Sequence, residues 1–156
     1  MRNRFGAGFS KNKFHASKVV YQGIEFDSTY ERDRYIYLMD LQKQGLISNL
    51  HLKSGFMLIQ KTTKIVPIHL KTKTKFVERV VEQEAAYHND FTYMENGKYI
   101  CEELKSVITS KLPDYILRRK LMVKKIYLHN EKKHGQWVFR EVVVYCNKNK
   151  TIITDK

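Results

Sequence analysis

Residues 87–106 read YHNDFTYMENGKYICEELKS, and this stretch decides the fold. Asn96-Gly97 lies between two runs rich in aromatic and other strand-forming residues. A type I′ turn needs positive φ at both central positions, and an Asn-Gly pair tolerates this well. We therefore predict a β-hairpin with a two-residue loop, in which Glu95 faces Lys98.

That turn fixes the cross-strand neighbours of the acids. Counting outward from it places Phe91 opposite Glu102 and Asp90 opposite Glu103. Because side chains alternate along a strand, Asp90, Glu103 and Lys105 share one face and Glu102 lies on the other. A three-residue loop or a bulge would shift this register by one residue.

The opposed acids Asp90 and Glu103 predict a metal site. Like charges on opposed strand positions, with Cβ atoms about 4.5–5.5 Å apart, destabilise a sheet. A divalent cation would offset that repulsion, and Mg²⁺ is typically held by one or two carboxylates with phosphate oxygens and water. His88 lies opposite Lys105 in this register, although a structural role is favoured for it. The alternative is an exposed hairpin face that carries solvated charges.

Composition indicates a single domain with a polyanionic partner. The 156 residues carry 29 Lys and Arg against 16 Asp and Glu, a net charge of +13. Such a balance favours nucleic acid, with an acidic membrane surface as the rival interpretation. No apolar run is long enough for a membrane span, and we expect a cytoplasmic protein. Cys101 and Cys146 lack metal-ligand spacing and predict neither a zinc site nor a disulfide.

The order of predicted elements is mixed. A basic arm (residues 1–16) precedes a small hairpin at 19–26 and a helix from Ser28 to about Gln44. Strands follow at 56–60 and 65–70, and residues 76–94 are rich in strand. After Pro113 an amphipathic helix with apolar residues that include Leu117 and Tyr127 ends near Asn130. The strand WVFREVVVY and a polar tail (147–156) complete the chain.

The motif composed of Asp90, twelve further residues, and then Glu103-Leu104-Lys105 resembles the PD-(D/E)XK nuclease superfamily. Asn89 stands where that superfamily often has Pro. The segments GIEFDSTYERDRY and LQKQGLISNL, with the opening stretch, resemble a small phage-type, Holliday junction resolvase-like endonuclease family over roughly residues 21–127. The resemblance implies an α/β (α+β) fold with a restriction-endonuclease-like core, in which helices flank a central mixed β-sheet next to an N-terminal hairpin.

The resemblance also implies roles for individual residues. Asp90, Glu103 and the carbonyl of Leu104 would bind Mg²⁺, for which Mn²⁺ can substitute, and Lys105 would orient the attacking water or stabilise charge. Glu31, on the upstream helix, would complete the acidic cluster. Glu31 also completes a capping box with Ser28, in which it would bond back to the Ser28 backbone. The ligand role is favoured, and both remain open.

The helix after Pro113 carries the expected DNA contacts. Phosphate contacts by basic residues give affinity without sequence information; the candidates are Lys111, Arg118, Arg119, Lys120 and Lys124. A solvated basic face is the alternative.

The resemblance implies a Mg²⁺-dependent endonuclease for branched DNA in phage recombination or replication, acting as a homodimer in the bacterial cytoplasm. A noncatalytic nucleic-acid-binding protein with a nuclease-like fold is the competing hypothesis, and an RNA substrate is a third.

Overall fold

The computed structural model describes residues 18–133, 135–145 and 150–156. The expected basic arm and Cys146 lie outside these residues. Within them, strands alternate with two α-helices, and the elements in chain order are β1 (Val19–Tyr21), β2 (Ile24–Phe26), α1 (Thr29–Lys43), β3 (Ile47–Leu52), β4 (Gly55–Ile59), β5 (Thr62–His69), β6 (Thr74–Glu82), β7 (Ala85–His88), β8 (Phe91–Glu95), β9 (Lys98–Ser106), a 3₁₀ turn (Thr109–Lys111), α2 (Pro113–Lys133), β10 (Trp137–Tyr145) and β11 (Lys150–Asp155).

A five-stranded sheet forms the centre of the molecule, in the order β11-β10-β9-β8-β3. It is mixed, because β9 and β10 run parallel while the other neighbours are antiparallel. The connection from β9 to the parallel β10 passes through α2, as parallel pairing requires. The expected mixed α+β fold, with its N-terminal hairpin β1–β2, is confirmed.

The central hairpin β8–β9 has the predicted register. Glu95 pairs with Lys98 and Phe91 with Glu102, and both turn residues, Asn96 and Gly97, have positive φ, at 50° and 76°. The ladder then stops, and the Asp90 amide donates instead to the Glu102 carbonyl at 3.2 Å. The ladder thus ends one residue before the predicted Asp90–Glu103 pair, and that direct ladder pair is not formed, because the chain leaves the strand at Asp90.

The two helices cover opposite faces of this sheet. α1 begins at Ser28, whose Oγ accepts from the Glu31 amide at 3.1 Å, and it packs on one face through an apolar cluster; this cluster contains Phe26, Tyr35, Leu38, Ile47, Phe91, Tyr93 and Ile100. α2 packs on the other face; the buried residues there are Tyr87, Cys101, Met122, Ile126 and Phe139. Leu117 and Tyr127, expected on the apolar side of α2, are 59% and 60% exposed.

Two further strand pairs lie outside the central sheet. β4 pairs with β7, and β5 pairs with β6. The strand-rich region at 76–94 is thus three strands that belong to three different sheets. The predicted polar tail was wrong over its described part, because Lys150–Asp155 pairs with β10 as an edge strand. No helix in the described ranges is long and apolar enough to cross a membrane.

Candidate active site

Asp90 lies where the chain enters the central hairpin. Its Oδ2 accepts a hydrogen bond from the Leu104 amide at 2.7 Å, so the side chain replaces the missing ladder partner. Burial raises the pKa of Asp90 above its ordinary value, against the opposing effects of Lys105, the Leu104 amide and Lys53. The carboxylate is therefore held against the Glu103–Leu104 peptide, inside the sheet margin.

Glu103 and Lys105 lie beside it on β9. The Lys105 ammonium contacts Glu103 Oε1, and Glu103 is only 4% exposed. Burial, and then the charge of Asp90, raise the pKa of Glu103 to about 7. Burial alone would lower the pKa of Lys105, but the neighbouring carboxylates Glu103 and Asp90 raise it. Lys105 consequently stays protonated, with its Nζ 5.4 Å from the centre of the Tyr115 ring.

Glu31 reaches the same region from the first turn of α1. Its Oε2 accepts from the Asp27 amide at 2.8 Å, so the expected bond back to Ser28 is replaced by one to the preceding residue. Its Oε1 is buried without a hydrogen-bond partner among the described residues, and Lys53 Nζ is 3.9 Å away. Burial, and then the charge of Asp90, raise its pKa. One oxygen of Glu31 stabilises the chain before the helix while the other stays available.

These carboxylates suit a divalent cation that is completed by other ligands. Glu31 Oε1 and Glu103 Oε2 are both buried and unpartnered within the described residues, which is a costly state for an ionised carboxylate. The described part of the chain holds no group of three or more His, Cys, Asp or Glu placed to bind a metal by themselves. A cation held by one or two carboxylates with water and phosphate oxygens fits this donor set. The Leu104 carbonyl stays a predicted ligand.

Lys53 is a site residue that sequence reasoning missed. Its backbone amide donates to the Asp90 carbonyl at 3.0 Å, and its Nζ donates to Asp27 Oδ2 at 2.9 Å. The hydrogen bond to Asp27 raises its pKa, and the charges of Glu31 and Asp90 add to this effect. Lys53 follows β3 with φ 50°, a conformation that places it across from Asp90. Only the pairing of β3 with β8 brings it there, so no local signal could identify it.

Asn89 and His88 have structural positions. Asn89 is 1% exposed, and its Nδ2 donates to the Phe91 carbonyl and, at 2.9 Å, to Thr92 Oγ1. These bonds fix the turn that presents Asp90. His88 pairs with Gly55 in the β4–β7 ladder, so its predicted place opposite Lys105 was wrong.

The neighbouring acid Glu102 lies on the other face, as predicted. It is fully buried, and Arg34 binds both of its oxygens at 2.7 and 2.8 Å while the Tyr93 hydroxyl donates to Oε2 at 2.6 Å. Glu95 similarly pairs with Arg140 at 2.8 Å. Arg34 thus joins Glu102 to α1 and Arg140 joins Glu95 to β10, and both acids lie on the opposite face from Glu103.

Glu141 lies on the same face as Glu103, but its carboxylate oxygens have hydrogen-bond partners. It is the register partner of Glu103 on β10 and is 5% exposed. Tyr115, Arg119 and Lys156 donate to it at 2.8, 2.7 and 2.5 Å. Burial opposes ionisation, but these hydrogen bonds dominate and lower its pKa. Glu141 is thus a permanent carboxylate that anchors α2 to the sheet.

The candidate DNA-binding residues lie along α2 and the turn before it. Lys111, Arg118, Lys120 and Lys124 are exposed, and the charge of Arg118 is near enough to lower the pKa of Lys105. Arg119 differs, because it is half-buried and its Nη1 is bonded to Glu141. Lys120 and Lys124 border a shallow groove together with Val123, Tyr127 and Lys156. The exposed cations thus continue from the end of α2 near the candidate site along the length of the helix.

The fold and this site define a small mixed α+β protein with a largely buried carboxylate–lysine cluster next to a basic helix. Residues 11–146 match the model of a family described as a protein of unknown function (DUF1064). The chain belongs to that family. Neither the curated proteins nor the solved structures include a match.

Proposed function

We propose that this protein is a Mg²⁺-dependent DNA endonuclease of the PD-(D/E)XK type, for which Mn²⁺ can replace Mg²⁺. One observation carries the proposal: Asp90, Glu103 and Lys105 lie together, and buried oxygens of Glu103 and Glu31 lack partners in the described chain. Raised carboxyl pKa values and a half-buried, protonated lysine are more typical of functional sites than of solvated surfaces. The alternative of a solvated hairpin face disagrees with the 4% exposure of Glu103.

Asp90, Glu103 and Glu31 would hold the metal. A bound divalent ion neutralises phosphate charge and lowers the pKa of a water nucleophile. Lys105, which the neighbouring carboxylates keep protonated, would add positive charge at the scissile phosphate or orient the water. Lys53 would balance the charge of Glu31 and Asp27 from the other side of the cluster.

The basic helix supports DNA as the substrate. Its exposed cations would hold the phosphate backbone without reading bases, which suits recognition of shape rather than sequence. We propose branched DNA, such as a Holliday junction in phage recombination or replication, cut by a homodimer in the bacterial cytoplasm. Paired cuts in two strands require two active sites related by symmetry, which a dimer supplies.

Cleavage of labelled DNA tests this proposal. The native chain should nick a four-way junction with Mg²⁺ or Mn²⁺ and stop when a chelator is added. Lys105→Ala and Asp90→Asn should abolish nicking, whereas Lys98→Ala, an exposed lysine on the same strand, should retain it. Cleavage that ignores the chelator or survives Lys105→Ala would refute the mechanism. Binding without cleavage by the native chain would favour a noncatalytic nucleic-acid-binding protein.

Substrate preference needs a parallel comparison. Linear duplex, single strand, flap, four-way junction and an RNA duplex of matched length should be offered at equal concentration. The proposal expects the junction to be cut fastest, with paired nicks in opposing strands. Equal cleavage rates on all DNA forms would contradict the preference for branched DNA and would support an endonuclease that does not recognise DNA shape.

A further inference from the structure

β5 and β6 form a two-stranded ribbon that is separate from the central sheet. Residue by residue, the pairing runs from Thr63–Val80 to His69–Thr74, and the Leu70 amide continues it to the Lys73 carbonyl at 2.8 Å. No other element in the described ranges packs extensively against either strand. The ribbon is inserted between β4 and β7, and β7 leads directly to Asn89 and Asp90.

The two faces of the ribbon differ in charge. Opposed residues share a face and alternate along each strand, so the register assigns every side chain to one side. One side, which we call the basic face, carries the four exposed cations Lys64, Lys73, Lys75 and Arg79. Among the paired residues its one acid is Glu82, which lies opposite Thr62 beyond an irregularity in the ladder. The other side carries Glu78, whose Oε1 accepts from Thr63 Oγ1 at 2.6 Å.

The cations of the basic face are not used in ion pairs within the described chain. None of the four forms an ion pair with a residue that the structure describes, whereas Arg34, Arg119 and Arg140 all bind carboxylates. Between them lie Val66, Val77 and Ile68, which are half-buried. Like-charged side chains grouped on one face repel each other, so an external anion would stabilise the arrangement.

The ribbon has dimensions that suit a duplex. Eight residues of β5 span about 25 Å at roughly 3.3 Å per residue. The major groove of B-DNA is about 12 Å wide and admits a two-stranded ribbon, with a row of phosphates along each edge. The cations lie near both ends of the basic face, so they are far enough apart to contact separate phosphates.

We propose that the basic face of the β5–β6 ribbon binds the phosphate backbone of duplex DNA next to the strand that is cut, as a second contact in addition to α2. The partner is DNA on the strength of the proposed function, but the contact itself does not depend on cleavage. Since β7 joins the ribbon to Asp90, a duplex held there would extend from the active site.

Binding measured without metal tests the contact independently of catalysis. Fluorescence anisotropy with a labelled duplex in chelator, over a series of salt concentrations, gives both Kd and its salt dependence. The triple substitution Lys64→Gln, Lys75→Gln and Arg79→Gln should weaken binding at least tenfold. Each lost phosphate contact should also reduce the slope of log K against log salt by about 0.9.

The control must change net charge equally at exposed lysines elsewhere. Lys43→Gln, Lys98→Gln and Lys150→Gln meet this condition, and that triple variant should bind almost as the native chain does. Equal Kd and slope in the two triple variants would overturn the proposal. The proposal would also be overturned if the ribbon variant bound DNA as the native chain does while the double variant Ile65→Ser, Phe76→Ser lost self-association. The ribbon would then be a contact between two copies of the chain. If the ribbon variant loses binding while no chain cleaves DNA, the contact stands and the nuclease proposal fails.

Discussion

At the scale of single residues, Glu103 determines how the site responds to pH. Its pKa of about 7 lies above the ordinary value of 4.5. The folded chain therefore keeps a proton that the unfolded chain loses, and stability falls as the pH rises from about 5 to 8. A glutamine has no proton to lose at this position, so it removes that dependence.

The first prediction concerns Glu103→Gln in chelator. The native chain should lose on the order of 3 kcal/mol of free energy of unfolding between pH 5 and pH 8 through this group, and the variant should not. The difference in free energy of unfolding between the variant and the native chain should therefore grow by that amount. Urea unfolding at several pH values measures this difference. Mg²⁺ at pH 8 should stabilise the native chain more than the variant, because only the native chain keeps the ionised ligand. A difference that stays constant with pH would show that Glu103 titrates normally.

The second prediction separates the two roles of Glu31. A glutamine oxygen can still accept the Asp27 amide, so Glu31→Gln should change stability by less than about 1 kcal/mol. If Oε1 binds the metal, Mg²⁺-dependent cleavage should fall by more than the roughly 10- to 100-fold that is typical when only a hydrogen-bond partner of a metal ligand is lost. The exposed Glu25→Gln, on the strand before the helix, is the matched control. If the variant is stable and cleaves DNA as the native chain does, Glu31 stabilises the start of α1 and does not bind the metal.

At the scale of elements, structure that depends on neighbouring residues was predictable from the sequence, and structure that depends on distant pairing was not. The β8–β9 register follows from Asn96-Gly97, and it correctly separated Glu102 from Glu103. β3 was missed, because its pairing partner is distant in sequence and its ladder with β8 is irregular between Ser48 and His51. Without β3, nothing in the sequence could place Lys53 near Asp90.

The apolar side of α2 was also misjudged for a physical reason. Tyr115, Met122 and Ile126 face the core, while Leu117 and Tyr127 point to solvent. Apolar residues are distributed around much of this helix, so several rotations are compatible with the sequence. Only packing against the sheet selects one of them, in which Tyr115 donates to Glu141.

The third prediction concerns the contact between α1 and β9. Arg34 holds the fully buried Glu102 with two hydrogen bonds. Arg34→Met should cost about 3–5 kcal/mol, because it leaves a buried carboxylate with Tyr93 as its remaining donor. The double variant Arg34→Met, Glu102→Leu should recover much of that loss. Urea denaturation of all four members of the cycle measures the coupling; additive losses would show that the ion pair is unimportant.

At the scale of the whole molecule, the total charge was predictable and its arrangement was not. The net charge of +13 indicates a polyanionic partner, yet the paired and unpaired cations cannot be told apart in the sequence. Arg140 is bound to Glu95 and Asp155, whereas the basic face of the ribbon is unpaired within the described chain. The acids of the candidate site therefore lie in a basic molecule, in which the cations on the basic face of the ribbon have no ion-pair partner within the described chain.

The last prediction follows from the contrast between the negative charge of the candidate site and the positive charge of the surrounding surface. Without metal, the acidic cluster repels the phosphate that the rest of the surface attracts. At pH 8, where Glu103 is mostly ionised, Asp90→Asn, Glu103→Gln should therefore bind duplex DNA more tightly than the native chain in chelator, by about 1 kcal/mol or roughly fivefold. Glu25→Gln, Asp40→Asn changes the net charge equally at exposed positions and should have a much smaller effect. Anisotropy at low salt measures both; equal gains would mean that the affinity reports net charge alone, and that the acids do not face the DNA.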